Sequence, residues 1–407
     1  VALLGTLGRG KTLIENFAPG DDCSRTLDII QKLGIHVERQ KDTVTIAGKG
    51  LFALKSSPAP LDAGNSGSTA RMACGLLAGQ PFDSHLDGDA SLRTRPMGRV
   101  IEPLERMGAR FESQDRNQNH LPLVIRGGNI LRGIDYELPV PSAQVKTAIL
   151  LAGLHAEGST RIREPNPTRD HTEIALSRFG VPIKREADEI VLQGMPRLEP
   201  ICYRIPGDIS SAAFFVAAAA ILPGSDMVIE DVGLNPTRTG FLEVLKAMGA
   251  EITTEESSRQ REDLDLERVG AIHVKGTELT GTEVSRAQIP TLIDEIPVLA
   301  IAAAQARGQT TFHGVSELRH KESDRLQTIA DGVNSLGAEA EIVEDRLIIR
   351  GGRTLKGVRL ESNSDHRMAM AWAIAALVAS EDCEIVDRTC VDVSYPQFWE
   401  DLDRLVS

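Results

Sequence analysis

Six times along this chain an apolar, helix-like run leads through Gly or a polar turn into a β-like segment, in residues 1–14, 68–83, 148–162, 212–229, 299–312 and 372–385. These runs are hydrophobic nearly all round rather than along one stripe. A helix of that kind has no face to offer water and has to be enclosed inside a domain. A bilayer is not the alternative. The longest apolar runs, residues 212–222 and 368–379, fall short of the roughly 18 residues a span requires.

A second kind of unit lies between the apolar runs. It is an amphipathic helix ending in Gly, then a strand, a polar turn and another strand. The helix-ending glycines are Gly34, Gly108, Gly180, Gly249 and Gly337, preceded by spacings such as Leu27, Ile30, Leu33 or Ile101, Leu104, Met107 or Leu242, Leu245, Met248. Glycine just past a periodic apolar stripe marks a left-handed helix C-terminus. Apolar alternation follows, as in Val44-Thr45-Ile46 and Leu347-Ile348-Ile349, closing on Gly48 and Gly351. The intervals between the helix-ending glycines are 74, 72, 69 and 88 residues, too long for a solenoid repeat and suited to a few βαβ-type modules grouped into domains. Three apolar helices precede Pro206-Gly207 and three follow, and 407 residues exceed what a single core of roughly 250–300 residues encloses. The expectation is an α/β protein of two similar domains, residues 1–206 and 207–407, with a cleft between them.

Charge narrows the partners. With 45 Lys+Arg against 58 Asp+Glu the net charge is −13, which argues against binding nucleic acid through its phosphates yet leaves room for a local basic pocket. The five cysteines, an odd number without paired spacing, read as reduced thiols in a cytoplasmic protein rather than a disulfide or zinc framework. No His-x-x-x-His, Cys-x-x-Cys, calcium loop, Walker A or Gly-x-Ser-x-Gly element stands in the segments of interest, so neither metal nor cofactor is expected.

The lead-ins to the apolar helices carry the chemistry. They read Asn65-Ser66-Gly67-Ser68, Ser142-Ala143-Gln144, Asp208-Ile209-Ser210-Ser211, Asp294-Glu295 and Ser364-Asp365-His366-Arg367. Helix capping alone explains small polar residues there. It does not explain Arg71, Lys146 and Arg367, cations in the first turns of helices whose dipoles disfavour positive charge. Anions bound at those helix starts would account for all three. The loop 87–97, with Arg93 and Arg95, and the sign-alternating segment 320–325 add further charge, although a solvated salt-bridged helix start would also explain the latter. Residues 170–173, Asp-His-Thr-Glu, resemble a capping box, with His171 a neighbour of the cap.

Taken together, residues 64–71, 87–97, 141–148, 169–173, 206–213, 294–300, 318–326 and 364–370 resemble, in order, the motifs of the 5-enolpyruvylshikimate-3-phosphate synthase family, the enolpyruvyl transferases of the shikimate pathway. The resemblance implies two similar domains, each of three βαβαββ repeats around buried parallel helices, an inside-out α/β barrel, and a monomeric protein. It also implies transfer of the carboxyvinyl group of phosphoenolpyruvate to the 5-hydroxyl of shikimate 3-phosphate, by addition and then elimination, with release of phosphate. On that resemblance Ser142, Ala143, Gln144 and Arg169 hold shikimate 3-phosphate, and Asp294 and Lys321 face its 5-hydroxyl, with Asp294 as base. Gly67, Arg95, Gln144, Arg325, His366 and Arg367 take phosphoenolpyruvate, and Glu322 shuttles a proton to its methylene. Gly67 leaves room for the inhibitor glyphosate.

Three departures accompany the resemblance. The family's Asp-Lys-Ser-x-Ser-x-Arg stretch, which contacts both substrates, would lie just before the helix on which this chain opens. Its absence implies an inactive or badly impaired chain, with the intact protein active. Thr168 stands where Ser is usual, which keeps the hydroxyl, and Val393 where many relatives have Lys. Two rivals remain. The related transferase acting on UDP-N-acetylglucosamine uses a loop cysteine, and residues 87–97 contain none, while Cys74 lies inside an apolar helix. A non-catalytic relative that binds a phosphorylated metabolite is the other.

Overall fold

The computed structural model describes residues 1–113, 119–186, 188–257 and 267–406. The chain divides into two compact units, Val1–Ile205 and Pro206–Ser407. No helix among the described residues is long and apolar enough to cross a membrane.

In the first unit three four-stranded sheets share one plan. Each has a short edge strand paired parallel to a second strand, which pairs antiparallel to a third, which pairs antiparallel to a fourth. The sheets run Cys202–Arg204, Arg9–Glu15, Thr43–Lys49, His36–Gln40; then Leu61–Asp62, Ser84–Asp87, Leu123–Arg126, Arg110–Ser113; then Asp135–Glu137, Ser159–Arg163, Glu189–Gln193, Ile183–Glu186. The apolar helices Gly67–Ala78 and Ala143–Gly153 connect the parallel pairs of the second and third sheets. For the first sheet, the parallel partner comes from the far end of the unit, at Cys202–Arg204.

The apolar helices form the cores. Ala148 to Leu151 are 0–2% exposed, as are Ala73, Cys74, Leu76 and Leu77, and in the second unit so are Val298 to Ala304 and Ala371 to Trp372. Gly75 is where two of them meet: a Cβ there would lie 2.1 Å from the Ala148 carbonyl oxygen, so only hydrogen lets the backbones approach this closely. All five helix-ending glycines have positive φ, from 76° at Gly180 to 106° at Gly108, and the stripes before them are buried. A different constraint acts at the strand ends. A Cβ on Gly351 would lie 2.2 Å from Ala303 O, and one on Gly276 1.8 Å from Leu222 O. The last strand of a repeat thus runs directly over the carbonyl end of its central helix.

The second unit repeats the full plan in its middle sheet, while its first sheet has three strands and its last two among the described residues. Its sheets are Asp226–Gly233, Val269–Lys275, Glu251–Glu256; Glu283–Val284, Gly308–His313, Arg346–Gly351, Glu339–Val343; and the parallel pair Arg359–Glu361, Glu384–Val386. Among the described residues the sixth repeat shows only βαβ. The sequence has no sixth helix-ending glycine, and after Val386 the chain turns at Asp387 (φ 54°) into the 3-10 segment Arg388–Val393 and the helix Phe398–Val406. Phe398 packs edge-on against Phe214 and Tyr395 and beside Phe215, so aromatic rings give apolar cover here. All sheets are open, and none closes into a barrel among the described residues.

Candidate active site

In the first unit the lead-ins of two buried helices come together. Ser66 Oγ accepts from Thr69 N–H and Ser142 Oγ from Val145 N–H, so both residues are caps. Gln144, one position inside its helix, donates through Nε2 to Ser68 Oγ at 2.7 Å and accepts at Oε1 from Arg71 Nη1 at 2.6 Å. Ala143 opens the helix, where backbone N–H groups lack intrahelical acceptors. From the 87–97 loop, Arg93 is taken by Asp87 in a two-point contact at 2.9 and 2.6 Å. Arg95 turns inward instead, is 6% exposed and donates to Asn65 Oδ1 at 2.5 Å. A Cβ on Gly67 would stand 3.2 Å from Arg71 Nη1 and 3.4 Å from Arg95 Nη1. Gly67, Arg71, Arg95 and Gln144 therefore share one basic corner over a helix N-terminus, a geometry that suits a phosphate or carboxylate.

Lys146 corrects the anion-clamp reading of the three first-turn cations. Its side chain is fully buried and its Nζ lies 2.9 Å from Glu164 Oε2 and 2.7 Å from Glu173 Oε1. The protein's own carboxylates, and no external anion, explain this cation. Glu173 consequently does not act as a capping-box residue, and Asp170 makes no side-chain cap bond. Burial raises the Glu173 carboxyl above its ordinary range, with Lys146 opposing the shift. Arg169 is half-buried on the segment between these two glutamates.

In the second unit three helix N-termini converge. Asp208 caps Ile209–Ile221 through Ser210 and Ser211 N–H. Ser210 Oγ donates to Glu295 Oε1 at 2.5 Å, at the start of Ile296–Gln305. Arg367, in the first turn of His366–Ala376, donates to the Asp294 carbonyl oxygen at 3.1 Å and lies 3.7 Å from Glu295 Oε1. Arg238 joins them, bonded to Ser210 Oγ and, at 3.2 Å, to Glu295 Oε1. Beside this knot Lys321 Nζ donates to Asp294 Oδ1 at 3.0 Å. Burial alone would raise the Asp208 carboxyl, but Arg238 and Arg367 turn the net shift downward.

Arg325 stands among carboxylates. Its side chain is 1% exposed and holds Asp365 at two points, 2.7 and 3.1 Å, with Glu322 Oε2 at 2.5 Å and Asp294 Oδ1 at 3.4 Å. Burial works against its charge, and the three carboxylates more than restore it, raising its pKa. It ties Asp294, Glu322 and Asp365 into one group. Asp365, Glu295, Arg238 and Ser210 were not among the expected site residues. Asp365 and Glu295 sit next to residues that were, and their sequence signal was only that of a cap.

His366 is 9% exposed. Burial, opposed by Asp365 and assisted by Arg367 and Arg325, pushes its pKa down to about 4, so it is neutral at pH 7. The folded protein resists a proton that the unfolded chain accepts below about 6.5. Stability is therefore complete above that value and falls as pH drops toward 4, by roughly 3 kcal/mol in total. Urea unfolding of the protein and of His366→Gln between pH 7 and 4 should show a shallower decline in the variant. Parallel curves would refute the assignment. Burial also pushes the Cys74 thiol up to about 12, which makes it a structural thiol. None of the five cysteines is in a disulfide.

With this geometry in place, the likeness to known proteins has a physical basis. Residues 1–402 match the family described as EPSP synthase (3-phosphoshikimate 1-carboxyvinyltransferase). The 3-phosphoshikimate 1-carboxyvinyltransferase of Desulforudis audaxviator is 50% identical over 406 residues, which cover 100% of this chain and 93% of that protein. That of Bacillus subtilis is 44% identical over 404 residues, 99% and 93% of the two chains. Among solved structures, EPSP synthase from Acinetobacter baumannii superposes with a TM-score of 0.86 at 43% identity, covering 99% of this chain and 92% of that one. The enolpyruvyl transferase NikO from Streptomyces tendae shares the fold, with a TM-score of 0.78 at 16% identity. Whole-length matches of this kind, on a chain whose helix tips gather Arg, Lys, Asp and Glu in each unit, make it a member of the EPSP synthase family.

Proposed function

We propose that this protein is a 3-phosphoshikimate 1-carboxyvinyltransferase, moving the enolpyruvyl group of phosphoenolpyruvate onto the 5-hydroxyl of shikimate 3-phosphate. Asp294 carries the reading. It is a carboxylate at a buried helix tip, met by Lys321 and Arg325, with Glu322 on the far side of the same guanidinium. In this assignment Asp294 takes the hydroxyl proton, the freed oxygen adds to C2 of phosphoenolpyruvate, and Glu322 delivers a proton to the methylene. Collapse of the tetrahedral adduct returns a methyl proton and expels phosphate. Lys321 steadies charge on the oxygen. Ser142, Ala143, Gln144 and Arg169 hold shikimate 3-phosphate. Gly67, Arg95, Gln144 and Arg367 hold phosphoenolpyruvate, with neutral His366 beside Arg367. Arg325 joins the phosphoenolpyruvate clamp and also aligns the carboxylates of Asp294, Glu322 and Asp365. The protein would work as a cytoplasmic monomer, in keeping with cysteines that form no disulfide.

Phosphate release from phosphoenolpyruvate that requires shikimate 3-phosphate, and not UDP-N-acetylglucosamine, is the test. Binding without turnover would favour a metabolite-binding relative. The proposal extends to glyphosate. Because a methyl at Gly67 would press on the guanidinium groups of Arg71 and Arg95, Gly67→Ala should weaken glyphosate inhibition by roughly 10- to 200-fold, the range for one methylene in a fitted pocket. The KM for phosphoenolpyruvate should rise by less. Unchanged inhibition in steady-state assays would place the inhibitor elsewhere.

A further inference from the structure

The fully buried Lys146 has no place in the chemistry above, and its surroundings give it another task. Its two carboxylates bracket Arg169 in sequence, Glu164 on one side and Glu173 on the other, at 2.9 and 2.7 Å from the same Nζ. Two hydroxyl contacts accompany the fork. Thr168 Oγ1 donates to Glu164 Oε1 at 2.6 Å, and the Thr147 and Thr172 hydroxyls are 2.6 Å apart. The Lys146 and Thr147 contacts lie on one turn of the helix Ala143–Gly153, while the Thr168 bond braces the segment from within, and that turn is the continuation of Ser142-Ala143-Gln144, since Lys146 N–H donates to Ser142 O at 3.1 Å.

We propose that Lys146 is a positioning residue for the phosphate end of shikimate 3-phosphate: it straps the Arg169 segment, through Glu164 and Glu173, to the helix turn that presents Ser142 and Gln144. Arg169 has a long side chain and sits outside regular structure. Left on an untethered loop it would have to be ordered by each substrate that binds, which weakens binding. Fixing its backbone on both sides removes that cost. Two carboxylates on one ammonium form a fork, and a fork is what holding both flanks of a segment from a single point requires. Thr168 extends the tether to the residue immediately before Arg169.

The inference rests on the proposed activity, and the test separates the two. Wild-type turnover of shikimate 3-phosphate and phosphoenolpyruvate is measured first; without it the activity and this role fall together. With it, Thr168→Val should raise the KM for shikimate 3-phosphate about 10-fold, and Lys146→Met combined with Glu173→Gln up to about 100-fold, the scale of a misplaced contact. The KM for phosphoenolpyruvate and kcat should stay within about twofold, and Thr168→Ser should restore the wild-type value. In an Arg169→Ala background neither change should add to the loss, as expected of groups that act through one another. Effects that fall equally on both substrates, or that add fully to Arg169→Ala, would overturn the proposal and leave Lys146 a core ion pair. If the Lys146 variant does not fold, the Thr168 series in both backgrounds decides the question on the same criteria.

Discussion

Asp365→Asn should lower the stability of the second unit by about 3 kcal/mol, the lower end of what breaking a buried ion pair costs. Asp365 is fully buried and meets the Arg325 guanidinium at 2.7 and 3.1 Å. It also caps the helix His366–Ala376 through Arg367 N–H at 3.0 Å and accepts from Ser323 Oγ at 3.1 Å. Asparagine keeps the volume and one acceptor but faces the guanidinium with a neutral amide. Glu322 and Asp294 remain near Arg325, so the charge is not abandoned, and the cost stays near 3 rather than 5 kcal/mol. In a domain of this size the melting transition of the unit should drop by about 6–12 °C. Calorimetry reads it directly. A shift within a degree of wild type would show that Glu322 and Asp294 alone hold Arg325.

The second large effect is on rate. Asp294→Asn should reduce kcat by about 10²- to 10⁴-fold, the range for loss of a positioned base, while calorimetric binding of shikimate 3-phosphate changes only severalfold. Asparagine can still accept from Lys321 and Arg325, which meet Asp294 Oδ1 at 3.0 and 3.4 Å, so the surrounding structure should persist. A single-turnover experiment would confirm that formation of the tetrahedral adduct is the step slowed. If kcat is retained, the hydroxyl proton leaves by another route and Asp294 only holds Lys321 in place.

What could be read from the sequence was local. Gly34, Gly108, Gly180, Gly249 and Gly337 were legible because a left-handed C-terminus is decided by a few neighbouring residues, and their φ values run from 76° to 106°. The caps Ser66, Ser142, Asp208 and Asp365 were legible for the same reason. Partners distant in the chain were not. Arg325 meets Asp365 across 40 positions and Lys146 meets Glu164 across 18. A cation in the first turn of a helix has the same sequence signature whether its counter-charge is a ligand or an internal carboxylate, so Arg71 and Lys146 looked alike. Only packing shows that Arg71 reaches a neighbouring glutamine while Lys146 is consumed inside the fold.

Where the last strand of a repeat crosses the carbonyl end of its central helix, as at Gly276 and Gly351, it works as a mechanical stop. Helices are stiff along their axes, and Ile296–Gln305 is a rod about 15 Å long at 1.5 Å per residue. One end abuts Gly351, and the other carries Asp294 and Glu295. A methyl group at Gly351 would have to drive the rod like a piston toward its reactive tip. Half-buried glycines at the far end of the helix thus bear on where Asp294 and Glu295 stand, and a site can be tuned through positions that never touch it.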